Sequence, residues 1–409
     1  MGKTASGVVI RCDAKEHRVR LDSKRFWAAA RCPMCQARGD RFRIRRVVGW
    51  VLKYVDPKGA TALTRWTVRL VYLYTLTVVG CWVLLWGLGD RWWLGTIVLF
   101  GPRWVLLLPI LPLMGLAAWQ RRRLLIPLSI SGLIVVFPIM GARVNLGAPE
   151  AAAMTPDARL RVMTFNVQNG YTLTRAVWEI LGSIAPDIAA FQECSREMFN
   201  QLVELPEWHA HHEGGLCFAS RFPIDTVFVM NRESLESIGG SGQVARYVVR
   251  TPRGPLQVTN LHLDTPRQGL EPITSGQLST GLRKLREKTL VRDIESRNAR
   301  RWVEDGPPPR VVLGDFNLPV ESVIYQRYWS DMGNAFDQVG RGFGRTRLNG
   351  WIKARIDHVL HSADLVPIRA HVGPELGSDH RPMIADLQWT TGDTAIATLE
   401  RQDPPPTSR

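Results

Sequence analysis

The sequence predicts an α/β domain carried behind three transmembrane helices. Three observations predict it. From Arg159 onward, short apolar runs alternate with amphipathic stretches, the mark of an α/β chain. Between Val68 and Met140 lie three long runs with almost no polar face. The charge is also divided. Residues 1–149 hold 23 Lys and Arg against 6 Asp and Glu, whereas residues 150–409 hold 29 against 31. The net charge of +15 over 409 residues therefore belongs to the N-terminal part. In the C-terminal part, global charge gives no support to a groove that tracks nucleic acid.

Residues 1–50 are polar and basic, so no signal peptide is expected. Within them Cys32-Pro33-Met34-Cys35 is a tight pair of the kind that grips zinc, and Cys12 and His17 could complete four ligands. The segment resembles the short zinc-ribbon head of some bacterial proteins, but its second knuckle is broken: only Cys12 remains, with His17 five residues on. Two readings stand, a structural Zn²⁺ site and a basic juxtamembrane segment with free thiols. The other cysteines are Cys81, Cys194 and Cys217. The set is not a disulfide framework, and Cys194 and Cys217 would pair only in a domain that faces an oxidising space.

The apolar runs cover about 68–88, 92–119 and 124–140 within the segment 66–143. Spanning a bilayer takes about 20 apolar residues. The first run fits, the second is long and interrupted by Gly101-Pro102-Arg103, and the third is short. Trp82, Trp86, Trp92, Trp93, Trp104 and Trp119 cluster near run ends, as interfacial aromatics do. Arg103 either snorkels or marks a break between two half-segments. Lys and Arg crowd the N-terminal flank and the stretch Arg121-Arg122-Arg123, which places both in the cytoplasm. Three spans then put everything after Arg143 on the outer side, in contact with the lipid bilayer.

Residues 144–158 read as a linker, and 391–409, ending in Asp403-Pro404-Pro405-Pro406, as a disordered tail. Between them, in 159–390, RLRVMTFNV, DIAAFQE, LCFASRF, ARYVVR, PLQVTNLHL, RVVLGDF, RIDHVLH and HRPMIADLQW read as strands. Residues 251–254 turn two of them into a hairpin. Residues 172–184 and 276–303 read as helices, the second charged and amphipathic.

Polar residues recur where these strands run out: Asn166, Glu193, His262, Asp315, Asn317, Asp357, Asp379 and His380. One strand-end aspartate is usually a turn residue. Eight such groups converge on one rim if their strands are neighbours. Their types make a chemical set. Glu193 and Asp379 suit a hard cation such as Mg²⁺ (or Mn²⁺), which keeps waters for a substrate phosphate. His262 and His380 can move protons or donate to a phosphoryl oxygen, and Asp357 can orient His380. Asp315 and Asn317 alternate, so both can face one pocket.

The ordered motifs FNV, QE, HL, GDFN, RIDHV and SDHRP, over about residues 159–390, resemble the endonuclease/exonuclease/phosphatase superfamily. The resemblance implies a four-layered α/β sandwich, two mixed sheets flanked by helices, and divalent-metal-dependent cleavage of phosphoester bonds. It implies Glu193 as principal metal ligand, helped by Asn166 and Asp379. It implies His380 as a base paired to Asp357, Asp315 on the attacking water, and Asn317 and His262 on the phosphoryl oxygens; whether Asp315 or His380 takes the proton stays open. Cys194 departs from the apolar residue that commonly follows the glutamate. Three spans followed by this domain resemble a narrower group, membrane-anchored members related to the teicoplanin-resistance membrane protein. The stretch HLDTPRQGLEP adds to that likeness, with Arg267 as a phosphate contact or a solvated loop arginine.

The expected function is a membrane-tethered metallophosphohydrolase acting on a lipid-linked phosphate or pyrophosphate at the outer face. The alternative is a tethered nuclease acting on DNA or RNA, which calls for a basic, aromatic-lined groove. A non-enzymatic sensor would leave the intact polar set without a purpose. The sequence sets no oligomeric state.

Overall fold

The computed structural model describes residues 8–11, 18–21, 61–145, 159–170, 173, 175–349 and 352–390. By its contacts the chain forms two units, residues 1–72 and residues 73–409. In the first, Val8–Arg11 and Arg18–Leu21 pair as antiparallel strands. Cys12, His17, Cys32 and Cys35, the expected zinc ligands, lie outside the described residues, as do 146–158 and 391–409.

Among the described residues, three helices are long and apolar enough to cross a membrane: Ala62–Arg91, Arg103–Gln120 and Arg122–Ile139. Their outer faces expose Leu76 (69%), Leu111 (77%) and Trp119 (76%), an exposure that water penalises and a bilayer does not. The run expected over 92–119 is divided. A helix Trp93–Phe100 stops at Gly101-Pro102, and helical structure resumes at Arg103. Arg103 occupies the break. Its guanidinium donates to the carbonyls of Leu99 (3.1 Å) and Ile139 (2.6 Å) and pairs with Glu321 at 3.1 Å. Trp86 Nε1 donates to Pro138 O at 3.0 Å. The last turn of the first span, the start of the second and the end of the third are therefore neighbours.

The rest of the second unit is built on two six-stranded mixed sheets. In spatial order the first runs Leu365–Val372, Met383–Trp389, Arg159–Asn166, Ile188–Gln192, Leu216–Ser220 and His209–Glu213. The second runs Gly333–Asn334, Asp357–His361, Arg310–Asp315, Gly254–His262, Gln243–Thr251 and Ile224–Val229. Each has one parallel pair at its centre, Arg159–Asn166 with Ile188–Gln192 and Gly254–His262 with Arg310–Asp315.

Side-chain parity explains the layering. Leu160, Val162, Ile188, Ala190, Val311 and Leu313 enter the core between the sheets. Met163, Phe165, Ala189 and Phe191 point the other way, onto the helices Val177–Ile184 and Arg196–Val203. Val312 faces the helices Leu278–Glu304 and Val323–Tyr328 through Ala299, Val303 and Ile324. Helix, sheet, sheet and helix make the four expected layers. The hairpin turns between Thr251 and Gly254, which are register partners.

Two helices differ from expectation at their ends, starting at Val177 and Leu278. Cys194 and Cys217 are joined in a disulfide, Cα atoms 5.7 Å apart. Phe191 and Cys217 are register partners, so sheet pairing has already brought the two cysteines close.

Candidate active site

Strand register builds one side of the site. His262, Asp315 and Asp357 are successive register partners across three strands of the second sheet, so they stand in one row at its edge. The first sheet supplies the facing side. Asn166 ends its strand opposite Gln192, and Glu193 follows immediately. His380 comes from the loop before Met383–Trp389, held by a bridge to Arg347. By parity Asn166 and Asp315 both lie on the faces that look into the space between the sheets, and the rim of that space is where they meet.

The contacts are specific. Asn166 Nδ2 donates to Glu193 Oε1 (2.9 Å) and to Asp315 Oδ2 (3.1 Å), tying the two sheets together. His380 Nδ1 lies 2.9 Å from Asp357 Oδ2, and its Nε2 lies 3.7 Å from Asp315 Oδ2. His262 Nε2 stands 3.8 Å from Glu193 Oε1 and 3.7 Å from Asp315 Oδ2. Asp315 Oδ1 accepts the N–H of Asn317 at 2.9 Å, and Asn317 Nδ2 donates to Leu263 O at 2.8 Å. Glu193 and Asn317 both have φ of 50°, in the left-handed region that non-glycine residues avoid. Such strain persists where surrounding structure over-determines it, and it concentrates at functional sites.

Burial sets the electrostatics. Asp315 is enclosed, and desolvation together with the neighbouring Asp357 charge pushes its carboxyl above the ordinary range. For His380, burial alone would depress the pKa; Asp357 and Asp315 outweigh it and push it up to about 9. The carboxyl groups on its two sides therefore favour the protonated imidazole.

The remaining expected residues fall as follows. Asp379 is 3.3 Å from Arg347 Nη2, and its backbone N–H donates to Gln168 Oε1 at 3.4 Å. Arg267 opens the exposed helix Arg267–Thr274 and pairs with Glu271 at 3.0 Å, apart from the contacts above. Sequence reasoning missed Arg347, Gln168 and Ser378, whose Oγ donates to Asn166 O at 2.8 Å. It also missed a buried chain beneath the rim. Thr164 Oγ1 donates to Gln192 Oε1, Gln192 Nε2 to Asn260 Oδ1 at 2.7 Å, and Asn260 Nδ2 to the carbonyls of Phe191 and Cys217. Buried amides inside otherwise apolar strands were the available signal, because such groups need partners.

The donor set fits a hard cation. Glu193 is partly open, 39% exposed, and engages its neighbours through Oε1. Asp315, Asp357 and His380 form the one close trio of metal-capable side chains among the described residues. Asp357 Oδ1 is buried without a hydrogen-bond partner. Carboxylate and amide oxygens match Mg²⁺ or Mn²⁺ and are a poor match for softer metals.

Solved structures similar to part of the chain include the endonuclease/exonuclease/phosphatase from Beutenbergia cavernae (18% identity, TM-score 0.42, 57% of this chain and 72% of that one). They also include D. rerio TDP2 complexed with single-strand DNA product (15%, 0.45, 57% and 100%) and the Neisseria 3' phosphatase NExo bound to product DNA hairpin (20%, 0.43, 56% and 100%). No curated protein matches the chain. The model of the Endonuclease/Exonuclease/phosphatase family matches residues 163–380, more than half of the chain and nearly the whole span that carries the rim described above, and the chain belongs to that family.

Proposed function

We propose that this chain is a membrane-anchored, divalent-metal-dependent phosphoric ester hydrolase acting on a lipid-linked phosphate or pyrophosphate at the outer membrane face. The row His262, Asp315 and Asp357, faced by His380 and by the Asn166–Glu193 pair, carries the chemistry. Glu193, Asn166 and Asp379 would hold Mg²⁺ (or Mn²⁺), which supplies Lewis-acid stabilisation of the phosphoryl oxygens. Asp315 accepts the proton of the attacking water. Asn166 and the Asn317 N–H fix its two oxygens, so it presents a set direction to that water. His380, backed by Asp357, and His262 donate to the charge that develops on the phosphate. Asn317 gives one amide N–H to Leu263 and keeps the other for the substrate.

Placement supports the substrate class. The segments 86–103 and 138–139 are neighbours at one end of the three apolar helices, opposite Arg121-Arg122-Arg123. The basic loop and basic N-terminal flank suit the cytoplasm, which leaves the hydrolase outside. The Cys194–Cys217 disulfide suits an oxidising space as well. A tether confines enzyme and lipid substrate to one surface and raises their effective concentration. The near balance of 29 basic against 31 acidic residues in 150–409 suits a small headgroup better than a nucleic-acid backbone.

The test is an activity panel on purified full-length protein in detergent with Mg²⁺, comparing a polyprenyl pyrophosphate, plasmid DNA, phosphoinositides and sphingomyelin. Phosphate release from the polyprenyl pyrophosphate is expected. Cleavage of plasmid DNA alone would overturn the lipid assignment.

A further inference from the structure

A small cavity lies where the apolar helices meet the sandwich. One wall is Gly101–Trp104, at the start of the second span, with Met140 just after the third; the other carries Arg345, Lys353 and Arg355. Arg103 also lines it, so four cationic side chains face one acid, Glu321. That acid is already paired with Arg103 at 3.1 Å.

Of the other three cations, Arg355 is under-satisfied. Arg355 Nη2 pairs with Asp337 at 2.6 Å, but its Nη1 is buried with no hydrogen-bond partner, on a side chain only 5% exposed. Arg345 lies over the Phe343 ring at 4.5 Å. Neither Arg345 nor Lys353 has a carboxylate partner among the described residues. Burial and the nearby Arg103 charge both push the Arg345 guanidinium below its ordinary pKa, the sign of cations crowded without an anion. An orphaned buried donor costs about 1–3 kcal/mol, so the site is complete only with an acceptor.

A second cleft, of 690 Å³, shares Phe343, Arg345 and Lys353 with the cavity, and its walls carry Arg369 and Arg381 against a single acid, Glu375. Phosphate offers several charged oxygens to such a set, and arginine binds it with matched geometry. The level of the cavity names the source. It lies at the ends of two spans and Trp104 lines it, at the level where aromatic belts and lipid headgroups sit.

We propose that this cavity seats the phosphate of an anionic bilayer lipid, held by Arg345, Lys353 and the unpaired Nη1 of Arg355, at a site separate from the catalytic rim. Pro319 follows Asn317 by two residues and Arg355 precedes Asp357 by two, so a bound headgroup abuts two segments that carry the rim. The inference rests on the membrane placement proposed above and not on the substrate.

The experiment uses full-length protein in neutral detergent micelles doped with radiolabelled phosphatidylglycerol, with bound lipid counted per chain. About one retained lipid is expected, and millimolar inorganic phosphate should displace little of it. Lys353→Gln, at an exposed position, should weaken retention; Arg345→Gln with Lys353→Gln should weaken it at least about tenfold, the scale of one charge-assisted hydrogen bond. Retention unchanged in both variants would remove the site. Equal displacement by inorganic phosphate would make it a free-phosphate site, and loss of single-strand oligonucleotide binding without loss of lipid would make it a nucleic-acid surface; either result overturns the proposal. Membrane fractionation of the wild type separates the failures. A chain that does not sediment with membranes defeats the placement itself, whereas a membrane-bound chain indifferent to both variants defeats only this site.

Discussion

Arg292 donates through Nη2 to the backbone carbonyl of Asn317 at 2.8 Å. Its side chain is 1% exposed, and its Nη1 lies 3.6 Å from Asp90, itself fully buried. Asp90 in turn accepts Ser322 Oγ at 2.7 Å and the Val323 N–H at 3.1 Å. The end of the first apolar helix is thus linked through one buried arginine to a rim residue with a strained backbone. Arg292 thereby braces the Asn317 backbone.

Removing one partner leaves the other charge buried and unpaired, which costs about 3–5 kcal/mol, whereas replacing both avoids that penalty. Arg292→Met and Asp90→Asn should each lower the melting temperature strongly. The double variant should be less destabilised than the sum of the two. Additive losses in a double-mutant cycle would show that the pair is not coupled.

Glu193→Gln, Asp315→Asn and His380→Ala should each reduce the hydrolysis rate by at least about 10²-fold, the scale of a general acid–base group. Asp315→Asn should do so with a melting temperature at or above that of the wild type. Desolvation and Asp357 already disfavour the ionised Asp315, so a neutral isostere relieves a cost. Circular dichroism melts beside rate measurements separate the two effects; a destabilised Asp315→Asn would refute the reading of its environment.

The disulfide joins Cys217 to the residue that follows Glu193, across a sequence separation of 23. Closing such a loop is worth about 3 kcal/mol. Paired Cys194→Ala and Cys217→Ala should lower the melting temperature and reduce activity by loosening Glu193. Alkylation of protein extracted without reductant should leave Cys194 and Cys217 unmodified. Their full modification under those conditions would contradict the bond.

The outward placement predicts that single cysteines near Pro156 and in the 391–409 tail, in a background without native cysteines, react with a membrane-impermeant thiol reagent on intact cells. Protection at both positions until lysis would return the catalytic domain to the cytoplasm.

The central strands were legible because apolar residues on both faces leave continuous runs such as those before Asn166 and Asp315. His209–Glu213, Ile224–Val229 and Leu365–Val372 were not read as strands. All three are sheet edges or next to solvent, where one side of the pleat needs no apolar residue, and the last also contains Pro367 at a register shift. The rim residues were legible because each stands beside an apolar run: Asn166, His262 and Asp315 end one, Glu193 follows one, and Asp357 and His380 precede one. Arg292 was hidden for the opposite reason: it lies on the charged helix Leu278–Glu304, where one more arginine reads as solvated surface. Asp90 falls between the apolar runs 68–88 and 92–119, and only its tertiary contacts to Ser322 and Val323 show that it is buried.

The most direct measurement of the central claim is hydrolysis of a phosphoester substrate by the purified full-length protein before and after excess chelator, with Mg²⁺ then added back. The account predicts that chelation abolishes the activity and Mg²⁺ restores it in the wild type, but not in Glu193→Gln. Full activity in excess chelator would contradict it.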